Sequence, residues 1–231
     1  MREIVLDTET TGLNPKNGDR IVEIGCVELF NHVPTGEVYH QYVNPERDMP
    51  AEAERVHGLS ETFLKDHPVF AEISDAFVAF VGDATLVIHN ASFDMGFINA
   101  ELERMNIEAI PMYRAVDTVS MARKKFPGAQ ASLDALCRRF GIDLSGRELH
   151  GALLDAQLLA DVYLELLGGR QHGMDLAADA GVTSIGENGS FTSDDDSAGR
   201  RAPRPHTIPA DEEARHAAFL EKLKDPIWLR D

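Results

Sequence analysis

The segment Asp7-Thr8-Glu9-Thr10-Thr11-Gly12 puts two carboxylates two residues apart, at the end of an apolar run that starts near Glu3. Residues i and i+2 of a strand project to the same side, so Asp7 and Glu9 present their acids together. Such a pair repels unless a cation lies between its members, and hard oxygen ligands suit Mg²⁺ or Mn²⁺ better than zinc. Two further clusters carry similar chemistry. His89-Asn90-Ala91-Ser92-Phe93-Asp94 ends a second apolar run and opens a long helical pattern, and His150 precedes a helix whose first turn holds Asp155. Five residues apart on one continuous helix, His150 and Asp155 would diverge by about 140°. They converge only if His150 belongs to the loop before the helix, and Gly151 permits that break. Each cluster alone has an ordinary reading as a solvated strand end or as an acid favoured at a helix N-terminus. Asp117 and Asp161 read that way, as a cap and a solvated acid, and His89 reads as a structural hydrogen-bonder.

The elements that must position these groups follow from periodicity. Glu3–Asp7, Ile21–Phe30 and Val38–Val43 read as a three-strand meander, with Asn14-Pro15-Lys16-Asn17-Gly18 as the first turn. Helical patterns lie at Ala51–Arg55 and Ile73–Val81, a buried strand at Thr85–His89, and an amphipathic helix from about Ser92 to Met105. Tyr113–Asp117 reads as a short strand leading into a helix at Thr118–Lys125. Ser132 is the N-cap of a helix with a Leu133, Leu136, Cys137, Phe140 stripe that Gly141 stops, and a last helix runs from Ala152 to Leu167, ending at Gly168-Gly169. Strands first, then alternating strands and helices, predict an α/β domain built on a mixed sheet over residues 1–168.

Composition sets the remaining bounds. The 231 residues carry 22 Lys and Arg against 39 Asp and Glu, a formal charge of −17. Phosphate contacts by Lys and Arg dominate non-specific nucleic-acid binding, so a nucleic-acid enzyme of this charge needs cations or a partner to supply positive potential. Cys26 and Cys137 lie in apolar-periodic segments and read as buried free thiols in a reducing compartment. The N-terminus runs directly into a strand pattern, and nothing approaches the roughly 18 apolar residues of a membrane span. The expectation is a soluble, cytoplasmic protein with no membrane partner.

Taken together, Asp7-Thr-Glu9, His89-Asn90-x-x-Phe93-Asp94 and His150-x-x-x-x-Asp155 resemble the DEDD superfamily of 3′→5′ exonucleases, in its histidine-bearing branch. The resemblance implies a ribonuclease H-like mixed five-stranded sheet, its second strand antiparallel, flanked by helices and followed by a flexible C-terminal tail. It implies that Asp7, Glu9, Asp94 and Asp155 hold two divalent cations, Mg²⁺ or Mn²⁺, with Asp7 bridging them. Such cations, roughly 3.5–4 Å apart, stabilise the attacking and leaving oxygens of an in-line displacement. His150 would take the proton of the attacking water as general base, and the product would be a 5′-mononucleotide released from a 3′ end. Thr10, Thr11, Gly12 and Leu13, with His57, Asn90 and Phe93, would hold the terminal nucleotide beside Asp7, Glu9, His150 and Asp155.

Beyond the domain, residues 169–209 are rich in Ala, Gly, Ser, Asp, Pro and Arg and read as a flexible linker. At its start, Gln171-His172-Gly173-Met174-Asp175-Leu176 resembles a sliding-clamp-binding peptide anchored by Gln171, Met174 and Leu176. Residues 210–231 recover periodicity through Phe219, Leu220, Leu223 and Trp228, and resemble the tail by which proofreading exonucleases hold the polymerase (alpha) subunit of a bacterial replicase. That combination favours proofreading of a frayed 3′ DNA terminus, and family members in some bacteria also recruit a small accessory subunit to the exonuclease domain. The alternatives are an RNA-trimming exonuclease with the same residues, or a non-catalytic tether between clamp and polymerase.

Overall fold

The computed structural model describes residues 1–146, 149–169 and 210–220. The chain divides into two units, residues 1–174 and 175–231. In the first, strands β1 (Arg2–Thr10), β2 (Ile21–Phe30) and β3 (Val33–Tyr42) form an antiparallel meander, and β4 (Thr85–Ile88) and β5 (Ala115–Asp117) add in parallel beside β1. The order is β3-β2-β1-β4-β5, with β2 opposed to the rest, which agrees with the expected sheet. The helices are α1 (Ala51–His57), α2 (Glu61–Leu64), α3 (Phe70–Val81), α4 (Ala91–Arg104), α5 (Thr118–Lys125), α6 (Leu133–Phe140) and α7 (Ala152–Leu167).

Strand alternation splits the core into two layers. Ile4 and Leu6 of β1 pack with Ile24 and Cys26 of β2 under α3 and α4, through Phe70, Phe77, Phe97 and Ile98. Val5, Val27 and Leu29 face the other way, against Leu136 and Cys137 of α6 and Leu159 and Val162 of α7. Cys26 and Cys137 are both buried free thiols, as expected. β1 therefore has a helix layer on each side, and groups placed near its C-terminal end can be reached from both.

The departures from expectation have local causes. β1 runs on to Thr10 because β2 pairs with it throughout. β3 begins at Val33, since an edge strand tolerates Pro34 and Gly36 where a central one would not. Met112–Arg114 form a 3₁₀ turn, leaving only Ala115–Asp117 as strand. The one-turn helix α2 was not expected, although Ser60 caps it by accepting from the Phe63 amide at 3.2 Å. α6 has the expected cap, Ser132 accepting from the Ala135 amide, and stops at Gly141 with φ 70°.

In the second unit, helix α8 (Ala210–Leu220) opens on Asp211, Glu212 and Glu213, acids that favour a helix N-terminus. Arg215 bridges back to Asp211 at 2.8 Å, and Phe219 is 55% exposed. The clamp-like peptide at 171–176, the linker to 209, and Leu223 and Trp228 lie outside the described residues. Among the described residues, no helix is long and apolar enough to cross a membrane.

Candidate active site

β1 outruns its neighbour. β4 pairs with it only as far as Leu6↔Ile88, so the β4-side edge of Asp7–Thr10 carries no strand. That free edge is where the acids assemble. Thr8 has its side chain on the α4 layer, and both its amide (3.0 Å) and its hydroxyl (2.7 Å) donate to Oδ1 of Asp94, in the first turn of α4. Asp94 is buried, and burial pushes its carboxyl up to about 7 despite the Thr8 hydrogen bonds, which pull the other way. Asn90, just before α4, adopts the left-handed conformation (φ 69°) that turns the chain from β4 into the helix.

Asp7 and Glu9 lie on the opposite face, opposite Gly25 and Glu23 of β2. α7 comes down on this face. His150 is in the loop before it, as convergence required, and its Nδ1 lies 3.2 Å from Oδ2 of Asp155. The His150 amide donates to the Val56 carbonyl, which ties this loop to the end of α1. Ligand atoms of Glu9, His150 and Asp155 lie within 4.8 Å of one another, a donor set of hard oxygens and one imidazole that fits a divalent cation. A buried Asp94 that resists ionisation points the same way, because a cation would supply the charge that burial withholds.

Two hollows meet at this cluster. One, of about 770 Å³, is lined by Asp7, His150 and Asp155 together with Asn90, Asp117, Arg123 and Ser132. The other, of about 600 Å³ and more apolar, is lined by Thr8 to Leu13, Val56, His57 and Phe93. Leu13 stands 85% exposed at its rim. His57 is buried there; its Nδ1 accepts from the Leu59 amide at 3.0 Å. Its Nε2 has no hydrogen-bond partner among the described residues, and the Thr10 backbone lies close enough to act on the ring's charge. Burial lowers the His57 pKa, which favours the neutral ring. A larger hollow, about 1110 Å³ between the 3₁₀ turn at Pro15–Asn17 and the end of α4, contains none of these groups.

The structure thus gathers Asp7, Glu9, Asp94, His150 and Asp155 at one end of β1, and Thr10, Thr11, Gly12, Leu13, His57 and Phe93 around the apolar hollow. Asn90 does not join that second group; it lines the polar hollow, and its amide donates to Asp117. Asp117 is the N-cap of α5, and His89 contacts the Thr118 hydroxyl at 2.9 Å, both in the structural roles expected. Sequence reasoning missed Thr8, Glu23 and Gly25. No local signal distinguishes them, because the contacts that give them their roles span 86 and 129 residues of sequence.

Comparison with known proteins is consistent with this geometry. Residues 4–163 match the RNase_T exonuclease family model. DNA polymerase III subunit epsilon of Rickettsia conorii is 58% identical over 174 residues, 74% of this chain and 76% of that protein. The same subunit of Escherichia coli is 49% identical over 176 residues, covering 73% and 72%. Among solved structures, exonuclease X in complex with 5′-overhanging duplex DNA superposes with a TM-score of 0.56 at 26% identity, over 71% of this chain and 90% of that one. A ribonuclease H-like sheet, a metal-suited acid cluster and a relative this similar over three-quarters of its length lead to one assignment: the chain belongs to the exonuclease family, among the DNA polymerase III epsilon subunits, and is a metal-dependent 3′→5′ exonuclease.

Proposed function

We propose that Asp7, Glu9, Asp94 and Asp155 hold two divalent cations, Mg²⁺ or Mn²⁺, and that His150 is the general base of a hydrolysis that removes mismatched 3′-terminal nucleotides from DNA. The observation that carries this reading is the meeting of three separate sequence motifs at the free edge of β1. Bound there, the cations would neutralise the crowded carboxylates and the charge that develops on the reacting phosphate. The protein's own groups do the rest. With Nδ1 donating to Asp155, His150 keeps a lone pair on Nε2, faces an open cleft, and accepts the proton of the attacking water. Thr8 holds Asp94 in place. The apolar hollow takes the terminal nucleotide: Leu13 and Phe93 cover its base and sugar, and His57 offers its buried Nε2. Only an unpaired end reaches such a hollow without the cost of unpairing a duplex, which gives the preference for mismatches.

The tail gives the enzyme its context. Gln171, Met174 and Leu176 dock on the sliding clamp, and Phe219, Leu220, Leu223 and Trp228 anchor the polymerase (alpha) subunit, with Trp228 as the hot spot. The tether raises the effective concentration of the nuclease at the primer end, so a surface of charge −17 need not collect DNA unaided. In this reading residues 1–168 form the nuclease and 210–231 the polymerase-binding segment.

The test uses the full chain and a 3′-mismatched primer–template with Mg²⁺, with EDTA, and with Asp7→Ala or His150→Ala. Metal-dependent release of mononucleotides, faster from mismatched than matched ends and lost in both variants, is the expected result. Equal rates on matched and mismatched ends would overturn the proofreading preference. Faster digestion of RNA than of single-stranded DNA of the same sequence would favour the RNA-trimming alternative.

A further inference from the structure

α7 delivers both Asp155 and, from its preceding loop, His150, yet it starts at Gly151, which has no side chain to cap it. The cap comes from another strand. The Ala152 amide donates to Oε2 of Glu23 on β2 at 3.1 Å, across 129 residues of sequence. The other oxygen of Glu23 receives Nε2 of His40 on β3 at 2.6 Å, and the His40 ring packs edge-on against Tyr42, centroids 4.8 Å apart. Glu23 is only 3% exposed. Two residues along β2, Gly25 leaves the space into which α7 settles: a Cβ there would lie 2.2 Å from the Ala152 carbonyl carbon and 2.3 Å from the Leu153 nitrogen. In register, Gly25 faces Asp7 and Glu23 faces Glu9. The strand that pairs with the acids of β1 is therefore also the strand that seats and caps the helix carrying the other acid.

We propose that Glu23, fastened by His40, is a positioning residue of the nuclease. It fixes the first turn of α7 over Gly25, so that Asp155 and His150 meet Asp7 and Glu9 at the spacing the cations and the attacking water require. The inference rests on the reading of Asp155 and His150 as working groups. A buried Glu23 held by His40 could instead contribute to stability alone. The two differ in what they predict for folded protein. A group that only stabilises moves the melting temperature. A group that orients a metal-binding side chain changes cation affinity and turnover, typically by 10–100-fold.

The experiment compares full-length wild type with Glu23→Ala, Glu23→Gln and His40→Ala, with Asp155→Ala and His150→Ala as references. Four quantities are read: hydrogen exchange of the Ala152 amide in metal-free protein, Mn²⁺ affinity by calorimetry without DNA, and kcat and KM on single-stranded DNA. Glu23→Ala is expected to speed Ala152 exchange at least tenfold, weaken Mn²⁺ binding on the order of 10–100-fold and lower kcat similarly, with KM within about threefold. Glu23→Gln keeps an oxygen for the Ala152 amide and should recover much of both, and His40→Ala should fall between them. Glu23→Ala or, if it does not fold, His40→Ala with wild-type Mn²⁺ affinity and kcat would overturn the proposal, whatever the melting temperature does. Full activity in Asp155→Ala and His150→Ala would instead overturn the underlying assignment of the site, so the two failures are distinguishable.

Discussion

α4 and α7 approach the end of β1 from opposite faces of the sheet, and each brings one buried aspartate, but they hold it differently. Asp94 on α4 is fixed by two hydrogen bonds from one residue, Thr8, inside the core layer of Phe93 and Phe97. Asp155 on α7 touches His150, whose side chain is 49% exposed and sits in a loop, while the helix itself is capped from a distant strand. The α4 side is rigid and desolvated, and the α7 side is open and held at its base. In the proposed mechanism the first suits a group that must not move, and the second a group that must take a proton from solvent and give it back. Substitutions on the α4 side should therefore show up in pH-dependent stability as well as in rate, and on the α7 side in rate alone.

The largest effect should come from Asp94→Asn, which would remove one of the four proposed metal-holding carboxylates and is expected to lower turnover by at least about 10³-fold, with the fold intact by circular dichroism. Its effect on stability carries the sign of the comparison. Asp94 has its pKa raised by burial to about 7, so in metal-free protein the folded state prefers the acid form. Stability is then highest at low pH as far as this group is concerned, and falls as pH rises from about 4 to about 7. In EDTA, melting temperature should drop across that window in the wild type and much less in Asp94→Asn, which should be the more stable of the two at pH 8. A flat wild-type profile would mean that the desolvated state of Asp94 is relieved by something other than a cation.

His150→Ala should come next, lowering kcat by roughly 10²–10⁴-fold, the usual contribution of general base catalysis. Because the side chain is half exposed, the melting temperature should scarcely change. A loss of several degrees would make the His150–Asp155 contact a structural tie instead, and would erase the contrast between the two sides.

Saturating Mg²⁺ or Mn²⁺ should raise the melting temperature of the wild type. A ligand at about 100 times its Kd adds about 2.7 kcal/mol to stability if it binds only the folded state. The increment should be much reduced in Asp94→Asn and in Asp155→Ala. Equal melting temperatures with and without saturating cation would count against the metal assignment on both sides at once.

These two sides were unequally legible in the sequence. Asp7, Glu9, Asp94, His150 and Asp155 could be singled out because three short motifs, each ordinary by itself, together and in order resemble one exonuclease family. α6 and α7 were readable because Ser132, Gly141 and Gly168 mark their ends and their apolar stripes are regular. What holds the acids was not readable. The Thr8–Asp94 contact spans 86 residues and the Glu23–Ala152 contact 129, and nothing local separates a buried, bonded Glu23 from an exposed one. The same holds for Glu3, which lay inside an apolar run and proves to be buried, accepting from the Tyr163 hydroxyl at 2.7 Å. Long-range polar pairs depend on strand register and helix placement, which local periodicity does not contain.

The smallest effect sharpens the comparison most. Thr8→Val keeps the shape of the side chain and removes one of the two donors to Asp94, leaving the Thr8 amide bond in place. A hydrogen bond to a charged group contributes about 1.5–3 kcal/mol, so in Mg²⁺, where Asp94 is ionised, the loss of stability should be within that range and turnover should fall less than about tenfold. In EDTA above pH 7 the substitution should be more damaging than at pH 5, because the hydroxyl helps the ionised form of Asp94 more than the acid form, which predominates below the raised pKa. Denaturant titrations at the two pH values, with and without cation, check this directly. Equal losses in all four conditions would mean that Thr8 packs α4 against the sheet without tuning the charge of Asp94, and the rigidity of that side would then be owed to Phe93 and Phe97 rather than to the hydrogen bonds at its tip.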